Sequence, residues 1–208
     1  MRKYAPPMSS LQTMGGRELA SGPFSHRRYT IKRPWLTFLG RKFYVYDESG
    51  QLVVFVQHKI LTFKDEWNMF ADEAMQRPLL RVKAKKAIAL DSVSDITDAQ
   101  TGMLVGSVRN KGLKSIVRDT WELMGDVEQP IGKFVEDSSA LLRRFIPLLR
   151  GHWHVERDGR VVAKLDQLFR FFGAEMTLEI VEPGVVDPRL VVACAMLAVM
   201  REVVREQA

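Results

Sequence analysis

Cysteine is almost absent from this chain of 208 residues, since Cys194 is the only one. A single thiol excludes an internal disulfide, and such cysteine usage is typical of proteins in a reducing compartment. The first residues also lack the apolar stretch of a secretory signal, because Met1-Arg2-Lys3 is soon followed by Pro6 and Pro7. We therefore expect a cytoplasmic protein, with peripheral membrane association left open.

Long hydrophobic runs are also missing. The longest apolar run, 190–200, has eleven residues, whereas a bilayer-spanning helix needs about 20. Asp187 and Pro188 are typical of a helix N-terminus. The next three turns contain no polar side chain, so the helix has no face suited to contact with water. We predict no transmembrane span but a helix enclosed by protein, with these core residues: Leu190, Val191, Cys194, Leu197 and Val199.

Motifs of nucleophilic catalysis are missing too. Ser115, Ser138 and Ser139 lie in no G-x-S-x-G context, and no glycine-rich phosphate loop precedes a helix. We therefore expect a protein that is not an enzyme.

Metal-binding patterns are incomplete. His152 and His154 share one face of a strand, but a stable zinc site needs at least three protein ligands. Asp91, Asp95 and Asp98 lack the spacing of an EF-hand calcium loop and read better as turn formers. The sequence predicts neither a metal site nor another cofactor.

The composition that remains is that of one globular domain, with 46% hydrophobic and 27% charged residues. Residues 1–27 contain several prolines and glycines without periodicity, so we interpret them as a flexible N-terminal arm. We expect order to begin near Arg28 and a single domain to occupy 28–208.

Short strands joined by turns dominate that domain. Aromatic and β-branched residues flank Asp- or Gly-containing turns in four hairpin patterns, 43–56, 96–108, 121–135 and 153–165. Two further segments, 79–86 and 174–182, alternate between apolar and polar residues as strands do.

Two segments depart from this strand pattern. Residues 65–70 fit either a helical turn or a strand corner, and 138–146 has the serine cap and spacing of a short surface helix.

The pattern favours a mainly β fold, a closed antiparallel β-barrel around the buried C-terminal helix. Closure removes the exposed edges that such a meander would leave, and a barrel of more than eight strands is too wide for side chains alone to fill. A β-sandwich with the helix on one face is the alternative, although it would expose apolar residues of the helix.

Six stretches have the order and spacing of a known family: 43–50, 79–84, 95–102, 115–121, 141–145 and 187–190. Through them the chain resembles the LURP-one-related proteins, which share the tubby C-terminal-like fold with the phospholipid scramblases. The resemblance covers roughly 28–206 and implies a barrel of about twelve strands closed around a hydrophobic C-terminal helix. Tubby-like domains bind phosphoinositide headgroups through basic barrel residues, and scramblases are proposed to move lipids with Ca²⁺. Unlike scramblases, this chain has no cysteine cluster for palmitoylation.

The net charge of +6 favours anionic partners. Cations share one face of segment 79–86, and more follow in 109–118, which we interpret as a connection between strands. If both clusters fall on one side of the barrel, they form one anion site; the alternative is a solvated surface. The candidate anion-binding or lipid-binding residues are Arg81, Lys83, Lys85, Lys86, Arg109, Lys111, Lys114 and Arg118.

The leading hypothesis is therefore a non-catalytic binding module for anionic phospholipid or phosphoinositide headgroups at a membrane surface. A regulatory domain that binds nucleic acid or protein is the alternative, with nucleic acid disfavoured because no aromatic residue interrupts the basic strand. Calcium-dependent scramblase activity ranks below both.

Overall fold

The structure is a computed structural model that describes residues 22–34, 41–58, 66–85, 91–111, 120–127, 129–137, 151–168 and 174–205. Twelve antiparallel strands form a closed barrel in the order β1-β12-β11-β10-β9-β8-β7-β6-β5-β4-β3-β2. The predicted barrel is thereby confirmed over the sandwich. The strands are β1 (Arg28–Arg33), β2 (Arg41–Tyr46), β3 (Leu52–His58), β4 (Glu66–Phe70), β5 (Pro78–Lys85), β6 (Asp91–Asp98), β7 (Leu104–Lys111), β8 (Thr120–Met124), β9 (Pro130–Glu136), β10 (His152–Arg157), β11 (Arg160–Leu168) and β12 (Ala174–Ile180).

The strands follow from the alternation of side chains in the sequence. In β5, Leu80 and Val82 are buried inside the barrel while Arg81 and Lys83 are exposed outside. All four predicted hairpins are strand pairs. The ambiguous segment 65–70 contains β4, whose Trp67 and Met69 face the core. The short surface helix predicted for 138–146 lies outside the described residues.

The C-terminal helix, α1 (Pro188–Arg205), fills the barrel. Asp187 caps it as predicted, because its Oδ1 accepts a hydrogen bond from the backbone N–H of Arg189 at 2.9 Å. Every side chain from Leu190 to Met196 is at most 3% exposed, so the helix has no solvent face over these turns. Val199 is buried as well, whereas Leu197 is partly exposed at a cavity described below. Burial raises the pKa of the Cys194 thiol far above its ordinary value.

Gly106 of β7 lets the helix approach the wall closely. A Cβ at this position would lie 2.5 Å from the carbonyl oxygen of Met124 and 3.0 Å from Leu190 Cδ2. The first of these neighbours is backbone, which cannot move aside without disturbing the pairing of β7 with β8.

We therefore expect Gly106→Ala to lower the free energy of unfolding by about 1–3 kcal/mol, the usual range for overpacking. Urea denaturation followed by circular dichroism measures this effect. Gly125→Ala is the matched control, because a Cβ there would meet a side-chain methyl group of Ile131 at 3.2 Å, with backbone no closer than 3.9 Å. An equal loss in both variants would contradict the assignment of the effect to the contact with backbone.

Ion pairs of Arg189 connect the N-terminus of α1 to the turn between β6 and β7. The Arg189 guanidinium bonds Asp187 Oδ2 through Nη2 at 2.7 Å and Asp98 Oδ2 through Nη1 at 3.0 Å. Asp98 Oδ1 in turn accepts hydrogen bonds from the backbone N–H groups of Gln100 and Thr101. One carboxylate thus orders the turn and holds the helix.

These contacts make stability depend on pH. Burial acts to raise the pKa of Asp98, but the N–H groups of Thr101 and Gln100 and the charge of Arg189 outweigh it and lower the pKa. The hydroxyl and N–H of Ser49, with the N–H of Gln51, likewise lower the pKa of Asp47. A carboxyl with a lowered folded-state pKa stabilises the protein above its unfolded-state pKa, about 3.9 for Asp, and loses that contribution as the pH falls through the folded-state value.

We accordingly expect the free energy of unfolding to fall as the pH drops below about 4–5. Urea denaturation at a series of pH values tests this. Asp98→Asn should flatten the acid limb, whereas Asp126→Asn, in an exposed turn, should leave it unchanged. An acid limb that keeps its slope in Asp98→Asn would refute this role of Asp98.

Contacts of the barrel begin before Arg28. Phe24 is buried in the core cluster, and the carbonyl of Arg27 accepts a hydrogen bond from the N–H of Ile180 at 2.7 Å. Glu48 Oε1 accepts hydrogen bonds from the N–H groups of both Arg27 and Arg28 at 2.9 Å. Part of the segment that the sequence assigns to the arm, residues 22–27, therefore packs on the barrel.

Candidate functional site

The up-and-down topology gives the barrel two unlike ends. Odd-numbered strands begin at one end, which we call the short-turn end, where the connections are 47–51, 71–77, 99–103, 125–129 and the tight turn 158–159. They finish at the other end, which we call the long-connection end. The strand ends joined by segments 34–40, 59–65, 86–90, 112–119, 138–150 and 169–173 all lie at this second end.

The predicted basic strand, β5, faces solvent but has acidic neighbours. Arg81, Lys83 and Lys85 are all exposed on the outer face. Arg81 Nε lies 3.0 Å from Glu66 Oε1 of β4, and Lys85 Nζ lies 2.8 Å from Asp95 Oδ2 of β6. Two of the three cations on this strand therefore have a carboxylate partner on an adjacent strand.

The second predicted cluster is partly in a strand. The prediction that 109–118 is a connection is wrong for its first residues, because β7 continues to Lys111, which pairs with Asp91 of β6. The inward-facing polar residue Asn110 obscures the strand alternation at this point of the sequence. Arg109 points outward, and its Nη1 lies 3.9 Å from Glu122 Oε2 of β8.

The outer wall thus carries charges of both signs on neighbouring strands. Lys or Arg side chains of β5, β7, β9 and β11 lie beside Glu or Asp side chains of β6, β8, β10 and β12, and the register places unlike charges directly opposite one another in several pairs. Arg157 of β10 and Asp166 of β11 are exceptions to this pattern. Such cross-strand pairs contribute about 0.2–1 kcal/mol each to the sheet. The cations of β5 and β7 are therefore separated by Asp95 of β6 and do not form one uninterrupted basic patch. The opposed pairs are Lys83–Glu66, Lys83–Asp95, Arg109–Glu122, Lys133–Glu122, Lys133–Glu156, Lys164–Glu179, Arg28–Glu179 and Lys32–Glu175.

Three predicted cations, Lys86, Lys114 and Arg118, lie outside the described residues. They belong to segments that join strands at the long-connection end. The sequences of these segments share a composition: 59–65 reads KILTFKD, 86–90 KAIAL, 112–119 GLKSIVRD, 138–150 SSALLRRFIPLLR and 169–173 FRFFG. Each of these five segments combines Lys or Arg with Ile, Leu or Phe, whereas the first connection at this end, 34–40, reads PWLTFLG and contains no basic residue. The turns at the short-turn end contain acidic residues such as Asp47, Glu48, Glu73, Asp126 and Asp158.

The paired histidines of β10 contact carboxylates rather than each other. His152 Nδ1 lies 2.7 Å from Asp166 Oδ1, and His154 Nδ1 lies 2.8 Å from Asp137 Oδ1. Among the described residues, no group of three or more His, Cys, Asp or Glu side chains is arranged to hold a metal ion.

The structure contains a cavity of about 480 Å³ near the long-connection end, which the sequence did not predict. It lies between the last turns of α1 and the inner face of β3 to β8. Apolar side chains of Trp67, Val108, Leu197 and Met200 form part of its wall, and Asn110, Trp121 and Arg201 bring polar groups to it. The available signal in the sequence was β6, where Ser92 and Ser94 occupy inward positions that a core would fill with apolar residues.

Arg201 is positioned at this cavity by an aromatic ring. Its guanidinium carbon lies 5.6 Å from the centroid of the Trp121 ring, which is a cation–π distance. Trp121 itself packs against Phe134 with 5.6 Å between ring centroids, which fixes the indole plane. The cavity therefore has a cation at a defined position beside an apolar wall.

Comparison of the chain with models of known families, with curated proteins and with solved structures found no match. The resemblance to the LURP-one-related proteins stays a prediction. Within the described part of the chain, no helix is both long enough and apolar enough to cross a membrane.

Proposed function

We propose that the protein is a non-catalytic binding module that recognises anionic phospholipid headgroups at a membrane surface through its long-connection end. The observation that carries the proposal is the composition of five of the six connections at this end, which combine basic with large apolar residues, while the sixth, 34–40, is mainly apolar. The five are 59–65, 86–90, 112–119, 138–150 and 169–173. Basic residues are attracted to anionic lipids, and adjacent apolar residues insert at the headgroup boundary.

The charge of the barrel wall supports this end rather than the strand faces. Arg81, Lys85 and Arg109 lie beside carboxylates of neighbouring strands, which weakens their attraction for a further anion. The acidic turns at the opposite end would be repelled by the same membrane. A basic, apolar end and an acidic end give the molecule one orientation on an anionic surface.

Flotation of the full chain with vesicles tests the proposal. Binding to vesicles of phosphatidylcholine with phosphatidylserine or a phosphoinositide should exceed binding to phosphatidylcholine alone and should weaken with added salt. Equal binding to both vesicle types, or no binding to either, would refute it. Binding to RNA or to a protein without any vesicle binding would instead favour the regulatory alternative, and transfer of labelled lipid between leaflets with Ca²⁺ would favour scramblase activity.

A further inference from the structure

The cavity beside the end of α1 has polar side chains in its wall. Deeper in the barrel, inward positions of the neighbouring strands are apolar, as at Ile96 of β6 and Leu80 of β5. At the level of the cavity, polar Ser92, Ser94 and Asn110 line it together with apolar Val108. Packing against a helix requires none of these polar groups, and such local departures from a consistent core are expected where a protein binds something.

Two buried polar atoms at the cavity have no hydrogen-bond partner within the described part of the chain. They are Oδ1 of Asn110, an acceptor, and Nε1 of Trp121, a donor. The two residues are directly opposite each other in the register of β7 and β8, so their side chains lie on the same face of the wall. Buried groups without partners are destabilising and call for an explanation, and a bound molecule that supplies one acceptor and one donor would satisfy both.

Arg201 adds a charge to this pair. Its guanidinium lies over the Trp121 ring, and a planar guanidinium suits the oxygens of a phosphate or carboxylate. The same cavity also has an apolar wall, formed in part by Trp67, Leu197 and Met200, which suits an apolar portion of a ligand. The volume of about 480 Å³ falls within the usual range for small-molecule sites.

We propose that this cavity binds a single phosphate monoester with an apolar body. Its phosphate oxygens accept from Trp121 Nε1 and pair with Arg201, its P–OH group donates to Asn110 Oδ1, and its body packs against Trp67, Leu197 and Met200. Small rotations of the Asn110 amide, whose terminal torsion is soft, bring its oxygen to the ligand. This site differs from the proposed membrane contact, since it is built from strand and helix residues rather than from the connections.

Titration of the full chain with octyl phosphate, followed by tryptophan fluorescence and calorimetry, tests the proposal. Octyl phosphate should bind more tightly than octanoate, which lacks the donor, and both should bind more tightly than octanol, which lacks the charge. Inorganic phosphate, which lacks the apolar body, should bind most weakly. Octanol or inorganic phosphate binding as well as octyl phosphate, or no binding by octyl phosphate, would overturn the proposal.

Variants locate the binding to the cavity. Trp121→Phe should weaken the binding of octyl phosphate about 10- to 100-fold, as expected for the loss of a hydrogen bond to a charged group. The same variant should leave the affinity for octanol unchanged. Leu197→Trp should fill the cavity and abolish binding of both ligands. Lys164→Gln, exposed on the outer face of β11 and remote from the cavity wall, is the control and should change neither. Wild-type affinity in Leu197→Trp would overturn the assignment to this cavity.

A second variant keeps the proposal testable if Trp121→Phe fails to fold. Asn110→Leu has nearly the same shape but removes the acceptor, so octyl phosphate should bind more weakly and octanol should bind as before. Equal affinities of wild type and Asn110→Leu for octyl phosphate would overturn the role given to Asn110. Leu197→Trp then distinguishes the source of the ligand. If this variant loses a preference for vesicles with phosphatidic acid over vesicles with phosphatidylserine, the ligand is a lipid headgroup, and if it binds both vesicles as wild type does, the ligand is a soluble monoester.

Discussion

Cys194→Asp is expected to prevent the barrel from folding, whereas Cys194→Ala is expected to cost only about 1–2 kcal/mol of stability. Cys194 is fully buried in the middle of α1, with barrel wall on all sides. A carboxyl at this position would remain neutral only if its pKa rose by about 3–5 units. At about 1.4 kcal/mol per unit, holding this carboxyl protonated at pH 7 against an ordinary pKa of about 3.9 costs about 4 kcal/mol, which is a large part of the stability of an ordinary domain.

The pH dependence of the free energy of unfolding distinguishes the burial of an ionisable carboxyl at residue 194 from simple overpacking. The raised folded-state pKa of the introduced carboxyl predicts a penalty that is largest above that value and that shrinks as the pH falls toward the ordinary Asp pKa of about 3.9. Wild type should behave in the opposite sense, because Asp98 and Asp47 lose their stabilising contribution in acid. Cys194→Asn, neutral and of similar size, should lie between the alanine and aspartate variants.

Urea denaturation by circular dichroism from neutral to acid pH measures these differences in the variants that fold. A cooperative unfolding transition of Cys194→Asp at neutral pH, with the same midpoint as that of Cys194→Ala, would contradict the enclosure of α1. It would place residue 194 at a surface that reaches water, contrary to its complete burial.

The fold was predictable because its signals are local and repeated. Hairpins such as 43–56 combine β-branched and aromatic residues with Asp- or Gly-containing turns, and the run 190–200 is too apolar for any position other than the interior. The length of that run also excluded a bilayer span. Closure of the barrel then followed from the need to surround the helix and to leave no strand edge exposed.

The electrostatic surroundings were not predictable, because they depend on the register between strands distant from one another in the sequence. The basic alternation of β5 can be read directly, but the positions of Glu66 and Asp95 beside it depend on how β4 and β6 align. The cavity could not be predicted either, because its wall also depends on the strand register. From the sequence, Ser94 and Asn110 are expected at the surface. Only the strand register shows that they lie on the inner face, at the same cavity as Trp121.

Neutralising cations at the long-connection end is expected to weaken binding to anionic vesicles about 100-fold in the triple variant Lys86→Gln, Lys114→Gln, Arg118→Gln. Each Lys or Arg near an anionic membrane surface contributes about 1 kcal/mol, and losses at separate residues add approximately. These three residues belong to connections that join strands at that end, next to apolar residues such as Ile88 and Leu113.

A matched triple variant at the opposite end makes the prediction specific to orientation. Arg27, Arg77 and Arg160 are exposed and lie at the short-turn end, so their replacement by Gln removes the same charge. The eight residues of β5 span about 26 Å, which exceeds two Debye lengths of about 8 Å at physiological salt. The control triple should therefore bind vesicles nearly as well as wild type. Equal losses in the two triples would mean that net charge alone drives binding, and retention of binding in the first triple would remove the long-connection end as the membrane contact.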